Sequence, residues 1–168
     1  MSRSPDDGES RLSAPFPWFG GKRKVAAEVW SRFGDVRNYV EPFFGSGAVL
    51  LGRQSPIVGN ETVNDLDGYV ANFWRSMKLS PGETAEHADN PVNENNLHAM
   101  HVWLLQQRET LRSCLEGDPE WHDPKIAGWW VWGIACWIGG GFCSGNNGPW
   151  WINEAGQLVH LSDNGRGV

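Results

Sequence analysis

A chain of 168 residues is long enough for one domain with its own core, and a formal charge of −6 excludes a globally basic, polyanion-coating protein. The charge is uneven: residues 14–53 hold six basic and three acidic side chains, residues 83–123 nine acidic and two basic, so a basic first half could meet phosphates that the acidic middle would oppose. Cys114, Cys136 and Cys143 are odd in number and lack C-x-x-C spacing, which excludes a disulfide framework and suits a reducing, cytoplasmic compartment.

The opening MSRSPDDGES has early acids and no apolar run, so residues 1–13 read as a disordered tail, not a signal peptide. PFPWFGG, residues 15–21, is an aromatic, turn-rich entry. Residues 22–33 follow with Val25, Ala26, Val29, Trp30 and Phe33 at helical spacing, which predicts one core-facing side and an end at Gly34-Asp35. Residues 38–41 predict a strand. Pro42 stops it, and Gly45 and Gly47 supply a tight turn into a helix from Ser46 to Leu51. Pro56 breaks the chain, and Ile57-Val58 with Thr62-Val63 bound a second strand-like stretch. Asp67 then caps a helix to about Lys78 whose buried face is Tyr69, Val70, Phe73, Trp74 and Met77. This alternation predicts an α/β fold with a parallel sheet layered by helices, although two strands are only part of one.

The character then changes. Residues 80–96 are polar, with Pro81-Gly82 and Asn90-Pro91, and read as a loop or boundary. Residues 97–115 read as a helix on Leu97, Met100, Leu104, Leu111 and Leu115, and residues 117–124 as a second loop. The chain has 11 Trp, four of them at Trp129, Trp130, Trp132 and Trp137. Residues 126–143 form an 18-residue stretch without charge, which just reaches membrane-spanning length. Five of those residues are glycine, three of them consecutive at 139–141, which leaves a buried helix of about 12 residues as the better reading. Beyond Gly139 the chain is rich in glycine and asparagine and predicts little regular structure. Asn146-Asn147-Gly148 reads as a turn, with a DNA-backbone contact as its functional alternative.

Three stretches suggest chemistry. In YVEPFFGSGA, residues 39–48, a carboxylate and two closely spaced glycines lie between a strand and a helix start, the parts of a nucleotide-type cofactor site or of a plain strand-turn-helix. In FGGK, residues 19–22, two glycines precede Lys22, which could reach a carboxylate or phosphate or simply lie on the surface. An acid after the second strand could accept bonds from ribose hydroxyls. Asp65 and Asp67 are the candidates, and helix capping suits Asp67 better. His87, His98, His101, His122 and His160 show no metal-ligand spacing, and Ser46 lacks the G-x-S-x-G frame of a hydrolase nucleophile.

In the order PFPWFGGKRKV, YVEPFFGSGAVLL, ETVNDLDGYVANFWR, the chain resembles the DNA adenine-N6 methyltransferases of the Dam type, the D12 class. The later KIAGWWVWGIACWIGGGFCSGNNGPWW is similar to a family segment in which an aromatic helix leads to an asparagine-glycine loop. The resemblance implies a partial Rossmann-like methyltransferase sheet with helices and a mostly helical second region, S-adenosylmethionine as cofactor, double-stranded DNA as partner, and a place in restriction–modification. It implies that Trp18, Gly21 and Lys22 lie near the methionine end of the cofactor. Glu41, Pro42, Phe43, Gly45, Ser46 and Gly47 would form the cofactor loop, and Asp65 would hold the ribose. Residues 14–79 would be the cofactor part, residues 80–160 the mainly helical, DNA-recognising region, and residues 161–168 a tail or truncation point.

The family's catalytic Asp-Pro-Pro-Tyr motif is absent. Asp118-Pro119 and Asp123-Pro124 are the only Asp-Pro pairs, and no tyrosine follows Tyr69. The expectation is therefore an N-terminal part of such an enzyme, a gene fragment, a truncated homologue or one piece of a split protein completed by a second chain, with no catalytic residue or metal of its own and inactive alone. The alternative is a non-catalytic DNA-binding or partner module. A membrane-associated role through residues 126–143 is the third reading.

Overall fold

Gly21 turns the chain into a 3-10 turn, Lys22–Lys24, which leads into helix α1, Ala26–Phe33. Val25, at the cap between the turn and α1, is 49% exposed, and α1 buries Ala26 and Trp30 but leaves Phe33 in its last turn 55% exposed, unlike the expected stripe. Trp30 anchors this unit: its ring lies 5.0 Å from that of Tyr39, and its Nε1 donates to the Val49 carbonyl at 2.6 Å. Burying such a ring contributes roughly 2–3 kcal/mol.

Strand β1, Asn38–Glu41, has the predicted bounds and pairs in parallel with β2, Asn60–Val63, Glu41 opposite Val63. In β1 the residues facing the core are Tyr39 and Glu41, while Val40 is 65% exposed. Helix α2 is a single turn, Ala48–Leu51, and starts two residues later than expected. So short a helix has little macrodipole of its own.

This computed structural model describes residues 12–18, 20–53, 59–138, 142–143, and the backbone of 150–152 and 158–160. The chain forms two compact units, Met1–Asn64 and Asp65–Val168. Phe19, Ile57-Val58, residues 139–141, Asn146-Asn147-Gly148, residues 1–11 and residues 161–168 lie outside the described residues.

The second unit is helical: α3, Gly68–Leu79; α4, Pro81–Ala88; α5, Glu94–Gly117; α6, Pro124–Cys136. Asp67 caps α3 as expected, its carboxylate accepting from the Tyr69 amide at 2.8 Å. The buried face of α3 departs from expectation: Asn72 and Ser76 are buried, Trp74 is half-buried and Met77 exposed. Asn72 is buried because it bonds both backbone groups of Asp123, giving Nδ2 to the carbonyl at 2.9 Å and taking the amide at 2.8 Å.

Residues 81–88 are helical, not loop. Pro81 fits the first helical turn, where its missing N–H has no partner to lose. α6 packs on α3, α4 and α5. A Cβ at Gly128 would come within 2.7 Å of the Thr84 carbonyl, so glycine is required for the close approach of α4 and α6. α6 has 13 residues, and among the described residues no helix is long and apolar enough to cross a membrane. Strands β3, Trp150–Ile152, and β4, Leu158–His160, form an antiparallel pair where little regular structure was expected.

Candidate functional site

The site in the first unit begins with Glu41 on the core-facing side of β1. Its carboxylate is 5% exposed, and the buried Tyr39 hydroxyl donates to Oε2 at 2.7 Å. Burial and this acidic partner push the Tyr39 hydroxyl well above the usual tyrosine range, so it remains a proton donor. The other oxygen, Oε1, lies 3.0 Å from Lys22 Nζ but out of line for a hydrogen bond. It is a buried acceptor compensated by charge alone. Lys22 gives its hydrogen bond to the Phe43 carbonyl instead.

The loop after β1 is clamped from β2. Asn64 donates its amide to the Glu41 carbonyl at 3.0 Å, accepts from the Phe44 amide at 2.9 Å, and gives Nδ2 to the Pro42 carbonyl at 3.2 Å. Pro42 and Phe43 point outward, with Phe43 79% exposed, while Gly45, Ser46 and Gly47 are buried. Gly45 has φ 52°, and a Cβ there would lie 2.7 Å from the Trp18 indole. Trp18 also accepts the Gly21 amide at its carbonyl, 2.9 Å away. Trp18, Gly21, Lys22, Glu41 and the 42–47 loop therefore form one cluster. Sequence reasoning missed Tyr39 and Asn64. The signal for Tyr39 was its two-residue offset from Glu41 on a strand, which puts both on one face.

Of the six basic residues in 14–53, three serve internal pairs: Lys22 with Glu41, Arg32 with Glu28 at 2.7 Å, and Arg53 with Asp35 at 2.7 Å. Arg23, Lys24 and Arg37 make no ion pair among the described residues and carry what remains of the basic face.

The chain matches the family model of the D12 class N6 adenine-specific DNA methyltransferase over residues 18–110, more than half its length. It belongs to the D12 class. No match was found among curated proteins, and none among solved structures. For a D12-class chain, the helix-rich fold with its small parallel sheet is compatible with a methyltransferase-like α/β architecture.

In this D12-class chain Asp65 stands in the second unit, directly after Asn64 in sequence. One of its oxygens accepts the Asp67 amide at 3.0 Å. It lines an open groove of 740 Å³ together with Asp67, Tyr69, Arg75, Arg108 and Arg112. Burial raises the Asp67 carboxyl above the usual range, opposed by the Tyr69 and Val70 amides. Arg75 is committed to the end of α5, donating to the carbonyls of Leu115, Asp118 and Trp121. Both Asp-Pro pairs serve structure: Asp118 accepts from the Glu120 amide at 2.8 Å, and Asp123 caps α6 through the Ile126 amide at 2.9 Å. Among the described residues no group of three His, Cys, Asp or Glu side chains could hold a metal ion.

The second unit also buries His101, stacked on Trp137 at 4.9 Å, with its Nδ1 3.7 Å from the Cys143 sulfur. Burial holds the imidazole down at about 4, helped by the nearby His98 and Arg108, and pushes the Cys143 thiol far up, so neither is a reactive group near neutrality.

Proposed function

We propose that this chain is the cofactor half of an S-adenosylmethionine-dependent, site-specific DNA adenine N6-methyltransferase, built on a partial Rossmann-like sheet. Lys22, clamped against buried Glu41 beside a glycine loop sealed by Trp18, is the observation that supports it most directly. The residues suit the cofactor because a zwitterion needs a cation and an anion side by side, and the unsatisfied Glu41 Oε1 lies next to the Lys22 ammonium. Bound S-adenosylmethionine supplies an electrophilic methyl on a sulfonium.

Lys22 draws the methionine carboxylate, the exposed face of Phe43 offers a planar apolar surface, and the backbone of Gly45-Ser46-Gly47 allows close approach. Pro42 and Gly21 fix the ends of this cradle, and Asp65 accepts from the ribose hydroxyls. Double-stranded DNA is the partner. The acidic second unit limits its contribution to phosphate binding, so Arg23, Lys24 and Arg37 carry much of that attraction.

Because the sequence contains no Asp-Pro-Pro-Tyr and both Asp-Pro pairs serve as turn and cap, the 168-residue chain alone transfers no methyl group. That motif comes from outside these 168 residues. The same absence supports the alternative of a non-catalytic DNA-binding module, which predicts salt-dependent DNA retention without cofactor binding. Equilibrium dialysis with labelled S-adenosylmethionine separates the two. Saturable uptake by the wild type that weakens in Lys22→Ala and Asp65→Ala is expected. Equal uptake by all three removes the site assignment, and no uptake by any favours the module.

A further inference from the structure

Tyr39 opens the YVEPFFGSGAVLL stretch but was given no role there, yet it makes the only hydrogen bond that a described residue gives to the Glu41 side chain. The phenol is held from behind. Its ring rests on Trp30, which is itself fixed by the bond from Nε1 to the Val49 carbonyl, so the hydroxyl has a defined place. It is 4% exposed, and its raised titration range keeps the proton on oxygen. One carboxylate oxygen is thereby filled from the core side. The other is buried, faces Lys22 and has no hydrogen bond.

We propose that Tyr39 is a positioning residue: by occupying Oε2 of Glu41 it fixes the carboxylate so that Oε1 is presented to the α-ammonium group of an amino-acid-bearing ligand, while Lys22 takes that ligand's carboxylate. The proposal rests on the cofactor reading above. A carboxylate without its back-side donor would rotate to find one, and the nearest alternative is the Lys22 ammonium. That closes the pair on itself and removes both charges from the ligand. The hydroxyl thus keeps Glu41 and Lys22 adjacent but not mutually hydrogen-bonded, which is how they are found.

The test compares two probes on the full chain by calorimetry: S-adenosylhomocysteine, which carries the amino-acid end, and 5′-methylthioadenosine, which lacks it. Tyr39→Phe keeps the ring and its packing on Trp30. The expected result is about a tenfold loss of affinity for S-adenosylhomocysteine, the scale of one charge-assisted hydrogen bond, with affinity for 5′-methylthioadenosine within about twofold of wild type. In a Glu41→Gln background, Tyr39→Phe should cost S-adenosylhomocysteine nothing further. Equal losses for both probes would make Tyr39 a structural prop only, and unchanged affinity for both would remove its role; either overturns the proposal while leaving the cofactor reading standing. A wild type that binds neither probe overturns both.

Discussion

The Trp18 indole occupies the place where a side chain at position 45 would begin: a Cβ on Gly45 would lie 2.7 Å from the ring. The glycine is there first for the protein's own packing and for its φ of 52°, and only then for any ligand.

Gly45→Ala should therefore destabilise the first unit by about 2 kcal/mol or more, from backbone strain and overpacking together. Thermal unfolding followed by tryptophan fluorescence measures it. Trp18→Ala in the same chain should recover the overpacking share but not the strain, and a strictly additive double variant would contradict the contact.

Lys22→Ala leaves Glu41 buried without its compensating cation. Lys22 is 37% exposed, so solvent screens part of the pair, and the expected cost is about 1–2 kcal/mol in urea denaturation. Lys22→Ala combined with Glu41→Gln should be less destabilised than Lys22→Ala alone, because the orphaned charge is then gone.

Asn72 joins α3 to the start of α6 through two hydrogen bonds to one backbone residue, and it is fully buried. Asn72→Ala removes both and strands two buried backbone groups at Asp123. The expected loss is about 2–4 kcal/mol in chemical denaturation, larger than for Met77→Ala on the exposed side of the same helix.

His101 gives the second unit a pH dependence of definite sign. Its folded value is lowered to about 4, so the unfolded chain binds the proton first as pH falls. Stability should fall as pH drops from about 6.5 to about 4, by up to roughly 3 kcal/mol, and level off from this source below that. Carboxylates also titrate there, so the measurement is the difference between wild type and His101→Asn. That difference should narrow steadily between the two pH values, and a constant difference would contradict the assignment.

Much of this was legible in the sequence where local chemistry and tertiary demand agree. The β1 bounds and the Asp67 cap are examples, because a proline stop and a carboxylate two residues before an amide are local facts. The α4 helix was hidden because Pro81-Gly82 reads as a breaker until Pro81 is seen at a first turn. Val25 falls at the junction between a 3-10 turn and α1, a break that no periodicity reports. In the site, the residues that could hold charge were visible. Which of them share bonds was not: Asn64 to the loop depends on the parallel register, a long-range outcome, and the Tyr39 bond to Glu41 depends on which face of β1 is buried.

Calorimetric titration of the 168-residue chain with S-adenosylmethionine tests the central claim most directly. The account predicts saturable one-to-one binding by the wild type, with the cofactor half folded and competent on its own. A soluble chain with intact helical circular dichroism that takes up no S-adenosylmethionine would contradict it and leave the D12-class motifs as inherited structure without a ligand.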